Sequence, residues 1–185
     1  MKIREKVSAI EKAGYIALIC EGGAEIAIMD ILLDNDLLVF TRDQMINDHE
    51  VIPRTSVKEF QRKYLRVAYD GKLYILRVID SRRENFELKD PYRNQIEVID
   101  VITAPEIEML IIISEGQYRE YEKVKSKKSP SDFCIEDLGI KTVKKQQFIK
   151  DYFADTRKLV DSIREYHRVH MQKNGELSLF DLLRP

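Results

Sequence analysis

The sequence predicts an α/β fold with a mostly parallel sheet flanked by helices and a helical C-terminal extension. Over the first two thirds of its 185 residues, short aliphatic runs alternate with segments whose apolar residues recur at helical spacing. Consecutive parallel strands need long crossovers, which helices commonly supply, so this alternation favours a parallel sheet. From about residue 126 the strand patterns stop. We therefore predict an α/β core over residues 1–125 and helices packed on or beside it over residues 126–185.

A helix, a buried strand and a second helix are predicted at the start of the chain. Residues 2–12 carry apolar side chains at helical spacing, and Gly14 follows where a helix would stop. Residues 15–20 (YIALIC) lack polar alternation, as is typical of a strand covered on both faces of a parallel sheet. This strand ends at Glu21, and two glycines then allow a sharp turn into an apolar helix over residues 24–33.

The remaining elements follow the same two patterns. Each strand candidate is a short run rich in aliphatic residues, and most helix candidates have an apolar stripe at helical spacing. Pro105 stands where a helix start tolerates proline. The further strands are predicted over residues 37–40, 73–79 and 96–103, and the further helices over residues 56–67, 106–113, 132–138, 142–153 and 156–171.

Composition and cysteine usage exclude several classes of protein. Hydrophobic residues make up 44% and charged residues 34% of the chain, which suits a folded globular protein rather than a disordered or collagen-like one. No uncharged apolar run approaches the ~18 residues that cross a bilayer, and the charged N-terminus does not fit a secretory signal. Cys20 and Cys134 match neither a metal nor a redox spacing. We therefore expect a cytoplasmic protein.

The charges are segregated along the chain although the net charge is only −1. Residues 54–83 carry a net charge of +6 and residues 123–150 one of +5, whereas residues 84–122 carry −7. Such alternation is expected where carboxylates hold cations while neighbouring Lys and Arg residues bind a polyanion such as nucleic acid. Solvated helix faces would give the same pattern without any function, and charge alone leaves both interpretations open.

Acidic residues follow three of the predicted strands. Glu21 ends the first strand, Asp80 ends the strand over residues 73–79, and the strand over residues 96–103 leads into Glu106 and Glu108. Ligands bind beyond the carboxyl ends of parallel strands, so these acids are expected to converge. Converging carboxylates repel one another unless a cation neutralises them, and oxygen ligands suit Mg²⁺ or Mn²⁺. Glu25, Glu106 and Glu108 are also acceptable as ordinary first-turn helix acids.

Three short elements lie at the ends of the predicted strands: Cys20 to Glu25, which has the form E-G-x-x-E, Asp80 at a strand end, and Ala104 to Glu108 before the apolar run MLIII. Together they resemble the motifs of the Toprim domain, and within that group they look closest to RloB-like and OLD-type defence nucleases. The resemblance covers roughly residues 14–116. It departs from the family where Arg82 replaces the second acid of a D-x-D element, a place that Glu84 would fill only if the loop folds back.

The resemblance implies a metal-dependent nuclease in bacterial antiviral defence. It implies that Glu21 and Asp80 are catalytic and that Glu21, Glu25, Asp80 and Glu108 hold Mg²⁺ or Mn²⁺. Arg82 and Arg83 would contact phosphate, because a guanidinium can bind two phosphate oxygens at once.

The basic residues are compatible with several kinds of binding partner. Lys58, Arg62 and Lys63 lie on one face of the predicted helix over residues 56–67, and residues 123–128 form a second basic segment. Both are candidates for contacts with backbone phosphates, and both are equally consistent with plain solvated charge. Two alternatives to an enzyme stay open. One is a degenerate Toprim-like module that binds nucleic acid or protein, and the other is an assembly subunit that docks onto a partner ATPase or another defence protein.

Overall fold

The computed structural model describes residues 2–82, 84–170, 173 and 175–185. It contains a four-stranded parallel sheet with the order β2-β1-β3-β4. The strands are β1 Tyr15–Cys20, β2 Ile52–Pro53, β3 Leu73–Ile79 and β4 Glu97–Ile102. The predicted α/β class with a parallel sheet is confirmed, and the bounds of β1 and β3 coincide with the predicted strands.

Helices lie along both faces of this sheet. They are α1 Ile3–Glu11, α2 Gly23–Asp34, α3 Val57–Tyr64, α4 Met109–Ser114, α5 Tyr118–Val124, α6 Pro130–Glu136, α7 Gln146–Tyr152, α8 Thr156–Val169 and α9 Leu179–Leu182. The sequence patterns predicted neither α5 nor α9 as separate helices. Among the described residues, every helix is too short or too polar to span a lipid bilayer.

Each face of the sheet has its own core. Leu18 and Leu76 point into the larger core, which they share with the inward faces of α2, α4, α7 and α8. Ile19 and Ile75 point to the opposite face, where Phe60 of α3 covers them. Side chains alternate between the faces of a strand, so two cores require apolar residues at consecutive positions. This explains why the strands lack polar alternation.

The predicted strand over residues 37–40 is wrong. Leu38 forms a single antiparallel bridge with Leu183 instead of a ladder, and the strand beside β1 is the two-residue β2. Leu38 and Phe40 are buried, so burial in an irregular segment produced their apolar pattern. Pro53 in β2 suits an edge strand, because proline has no N–H for a second ladder.

The C-terminal helices pack on the same core as the sheet. The helix α8 lies against α4, and α7 lies against α2. Two backbone hydrogen bonds reinforce this packing: the N–H of Ile102 donates to the carbonyl of Leu177 at 2.7 Å, and that of Arg184 donates to Leu37 at 2.9 Å. The chain after residue 126 therefore continues the fold of the sheet and brings further residues to its carboxyl edge.

Candidate functional site

The carboxyl ends of β1 and β3 form the topological switch point of the sheet. From β1 the chain crosses over to β2 on one side, and from β3 it crosses to β4 on the other. Helices diverge at such a point and leave a crevice in which ligands of parallel sheets bind. Glu21 and Asp80 directly follow these two strands, and the backbone N–H of Asp80 donates to Oε2 of Glu21 at 3.1 Å. The structure thus brings the two predicted catalytic residues together.

Asp80 lies in a negative environment. Burial raises the pKa of its carboxyl group, and the charge of Glu21 together with a hydrogen bond to Glu21 raises it further. Glu106 adds to the same effect, while Lys144 opposes it. Asp80 therefore faces acids that come from different segments of the chain.

Glu25 is buried although it stands in the first turn of α2. Only 8% of the residue is exposed, so the alternative of an exposed first-turn acid is wrong for Glu25. Burial raises the pKa of its carboxyl group, and the charges of Asp80 and Glu21 raise it as well. The carboxylate folds back over Gly22, where an added Cβ would stand 2.8 Å from Oε2 of Glu25. A glycine at position 22 therefore makes room for this close approach.

Glu108 is the most strongly perturbed carboxyl group of the site. It precedes α4, is 4% exposed, and burial together with the charges of Glu106 and Glu25 raises its pKa to about 7. Lys144 partly offsets this rise. A carboxyl group with such a pKa exchanges its proton near neutral pH, as acid–base catalysis requires.

Glu106 has a structural partner as well as a place beside the site. Its Oε2 accepts the backbone N–H of Ser131 at 2.8 Å, in the first turn of α6. Carboxylates at a helix N-terminus satisfy free backbone donors there. Glu106 therefore anchors the C-terminal helices beside Glu108.

Two cations next to these acids were not predicted from the sequence. Arg54 follows β2, and its Nη1 donates to Oε1 of Glu21 at 2.9 Å while its Nη2 binds Glu84. The loop after β3 therefore does fold back, but Glu84 pairs with Arg54. Lys144 comes from the segment before α7, far away in sequence, and acts on both Asp80 and Glu108. A correct assignment of β2 would have drawn attention to Arg54, since it follows that strand directly.

The predicted nucleic-acid-binding residues are scattered. Arg82 donates from Nε and Nη2 to the carboxylate of Glu176 at 2.6 and 3.1 Å, so its guanidinium is already engaged by a carboxylate. Arg83 lies outside the described residues. Lys58, Arg62 and Lys63 are exposed on α3, whose first turn borders a cavity of about 420 Å³ that Glu21 and Arg54 also line.

The donor atoms suit a hard divalent cation, but their arrangement does not form a closed site. Carboxylate oxygens are the ligands that Mg²⁺ and Mn²⁺ prefer. In the described part of the chain, however, no three His, Cys, Asp or Glu side chains stand close enough together to hold an ion. Both oxygens of Glu21 are engaged, one by Arg54 and one by the N–H of Asp80.

Comparison of the chain with protein-family models, with curated proteins and with solved structures gave no match. The resemblance to Toprim nucleases therefore depends on the motif residues alone, and the case for a function depends on the geometry at the switch point.

Proposed function

We propose that this protein is a Toprim-like, metal-dependent nuclease that hydrolyses phosphodiesters with Mg²⁺ or Mn²⁺. One observation carries the proposal: carboxyl groups from different elements meet at the switch point, where burial and the charges of neighbouring acids raise the pKa of Glu25, Asp80 and Glu108. Burying acids together costs folding free energy, and carboxyl groups with perturbed pKa values concentrate at functional sites. A bound divalent cation would neutralise that charge.

The roles follow from the place of each residue. Glu21, Glu25, Asp80 and Glu108 would hold the ion, which lowers the pKa of a bound water and stabilises charge on a phosphoryl group. Glu21 lines the crevice and accepts a hydrogen bond from the N–H of Asp80, and these two residues would orient the attacking water. In the absence of the ion, Glu108 exchanges a proton near neutral pH because its pKa is about 7, and binding of the ion would release that proton. Lys144 supplies a positive charge beside these acids.

The surroundings of the site fit a polyanionic substrate, and a cytoplasmic location belongs to the same proposal. Lys58, Arg62 and Lys63 form an exposed basic face on α3, and lysine and arginine contacts to phosphates supply most of the affinity for a nucleic acid backbone. The role in antiviral defence and the partner ATPase come from the motif resemblance and belong to the same proposal.

A second candidate is a module that binds nucleic acid or protein without cleavage. Arg82 stands in place of an acid and pairs with Glu176, and Arg54 already neutralises Glu21. Both contacts would suit a site that has lost its metal. Binding that weakens steeply with added salt, in the absence of cleavage at any metal concentration, would favour this candidate.

The experiment compares cleavage of DNA and RNA by wild type, Glu21→Gln and Asp80→Asn, each with EDTA, Mg²⁺ or Mn²⁺. Exposed acids give matched controls in Glu87→Gln and Asp161→Asn. We expect metal-dependent cleavage that falls about a hundredfold or more in the two site variants, since a metal supplies several kcal/mol of transition-state stabilisation. Equal rates in all five proteins would reject the site, and the absence of cleavage in wild type would reject the enzyme.

A further inference from the structure

Arg54 spans the open side of the candidate site. Its guanidinium extends from the end of β2 to Glu21 at the end of β1 and reaches Glu84 in the loop after β3. The two contacts use different nitrogen atoms, so one side chain ties two carboxylates together. Arg54 thus stands where a positive charge is needed, in the crevice that the substrate would enter.

Arg54 engages one of the predicted metal ligands directly. Oε1 of Glu21 accepts from Arg54 at 2.9 Å and Oε2 accepts from the N–H of Asp80 at 3.1 Å. A divalent cation on Glu21 would have to displace Arg54, because two positive charges a few ångströms apart repel each other even near a protein surface. The guanidinium and the metal therefore compete for the same carboxylate.

The contact is also weak enough to open. The side chain of Arg54 is 60% exposed, although those of Glu21 and Glu84 are only 17% and 28% exposed, so solvent screens the guanidinium and weakens both ion pairs. The neighbouring arginine differs in this respect: the side chain of Arg77 is 4% exposed and donates to Asp100 at 2.7 Å. A phosphodiester offers Arg54 a bidentate partner of equal charge, since guanidinium and phosphate geometries match.

We infer that Arg54 is an internal counter-ion that occupies Glu21 until the phosphodiester backbone of a nucleic acid draws it away, so that nucleic acid and divalent cation bind cooperatively. This inference rests on the proposed function, because it assumes that Glu21 is a metal ligand. Coupling between two binding sites is reciprocal, so the metal must also tighten binding of the nucleic acid by the same factor. Without a substrate, the site would hold its metal weakly.

The test measures Mn²⁺ affinity by electron paramagnetic resonance of free Mn²⁺, without reference to cleavage. Wild type is compared with Arg54→Gln, which removes the competing charge, and Arg54→Lys, which keeps the charge but cannot fork between two carboxylates. Arg119→Gln replaces an exposed arginine on α5 and serves as the matched control. Circular dichroism checks that each variant is folded.

We expect Arg54→Gln to bind Mn²⁺ about tenfold more tightly than wild type, within the usual range of coupling between sites. Arg54→Lys should fall between the two, and Arg119→Gln should match wild type. A single-stranded DNA or RNA oligonucleotide with uncleavable phosphorothioate linkages should tighten Mn²⁺ binding by wild type by a similar factor and leave Arg54→Gln unchanged. Comparison of the DNA and RNA oligonucleotides shows which backbone tightens the binding of Mn²⁺.

The outcomes separate the inference from the proposed function. If wild type and Arg54→Gln bind Mn²⁺ equally while Asp80→Asn binds none, the inference is overturned and the metal site stands. If inorganic phosphate tightens Mn²⁺ binding as much as the oligonucleotide does, the assignment of a nucleic acid ligand is overturned. If no variant binds Mn²⁺ with or without an oligonucleotide, both the inference and the proposed function fall.

Discussion

The helix α2 carries two buried acids with opposite surroundings. Glu25 and Asp30 are each 8% exposed and lie on the same helix. Asp30 accepts from Arg42 and from Lys150, each at 2.9 Å, and so ties α2 to a neighbouring loop and to α7. Glu25 has no ion pair with any Lys or Arg among the described residues, and burial and neighbouring acids raise its pKa.

The presence or absence of a cationic partner distinguishes Asp30, a structural acid, from Glu25, a candidate functional acid. A buried carboxylate that serves packing has its charge neutralised within the chain, as Asp30 has. A carboxyl group that stays unneutralised among other acids lowers stability unless a ligand supplies the missing charge. Burial alone would not distinguish the two residues, but the identity of their partners does.

The largest expected effect of this difference is on activity. Glu25→Gln keeps the size of the side chain and removes the negative charge, so we expect metal-dependent cleavage to fall about a hundredfold. Asp30→Asn removes a charge from the same helix and should keep the wild-type rate per folded molecule. Steady-state cleavage assays at saturating Mn²⁺ compare the two variants, and equal losses would remove the distinction between them.

The next effect concerns the stability of Glu108→Gln as a function of pH. The pKa of Glu108 rises from 4.5 to about 7 on folding. Below pH 4.5 the carboxyl group of Glu108 is protonated in both the folded and the unfolded chain. As the pH rises above 4.5, the unfolded chain releases this proton before the folded chain does, so the free energy of unfolding falls. Glu108→Gln removes this cost, so in EDTA it should match wild type near pH 4 and exceed it by about 3 kcal/mol near pH 8.

Urea unfolding at both pH values measures this difference directly. Glu87→Gln, at an exposed acid, serves as the control and should track wild type at each pH. A constant offset between Glu108→Gln and wild type across the pH range would contradict the electrostatic account of Glu108.

Asp30→Asn is expected to lower the stability, by less than Glu108→Gln raises it near pH 8. The substitution leaves Lys150 without its carboxylate, while Arg42 keeps Asp34 as a partner at 2.7 Å. Breaking a buried ion pair costs about 3–5 kcal/mol, and the partial exposure of both cations reduces the expected loss to about 2 kcal/mol. Urea unfolding at neutral pH should show this loss, and a variant as stable as wild type would show that Asp30 does not stabilise the contact with α7.

The smallest expected effect on stability is that of Gly22→Ala. An added Cβ would meet only the end of the flexible Glu25 side chain, so the free energy of unfolding should change by less than about 1 kcal/mol. The carboxylate of Glu25 must move, however, and Mn²⁺ affinity should fall. Calorimetric titration with Mn²⁺ measures that fall; unchanged affinity would indicate that the position of Glu25 over Gly22 does not matter for the metal.

The sequence predicted those features that depend on local patterns. β1 and β3 were found because both faces of each are apolar, and Glu21 and Asp80 follow from their places at the strand ends. Arg54 was missed because a two-residue edge strand leaves no periodic pattern, while the buried segment over residues 37–40 imitates one. Lys144 reaches the site only through the packing of the C-terminal helices, which no local pattern shows.

The ion pair of Arg82 is a second contact that local sequence patterns do not predict. The residue stands two positions after Asp80, where the motif has an acid, and the sequence indicates a phosphate contact. Its partner Glu176 lies 94 residues away, in a segment that tertiary packing brings beside β4. Long-range ion pairs of this kind depend on the complete fold.

A crystal soaked in Mn²⁺ together with an uncleavable oligonucleotide tests the central claim most directly. We expect an anomalous difference peak for a Mn²⁺ ion that is bound by the carboxylates of Asp80 and Glu21. The guanidinium of Arg54 should have turned from Glu21 to a backbone phosphate. A map in which Arg54 still holds Glu21, with Mn²⁺ absent from the carboxyl edge of β1 and β3, would contradict this claim.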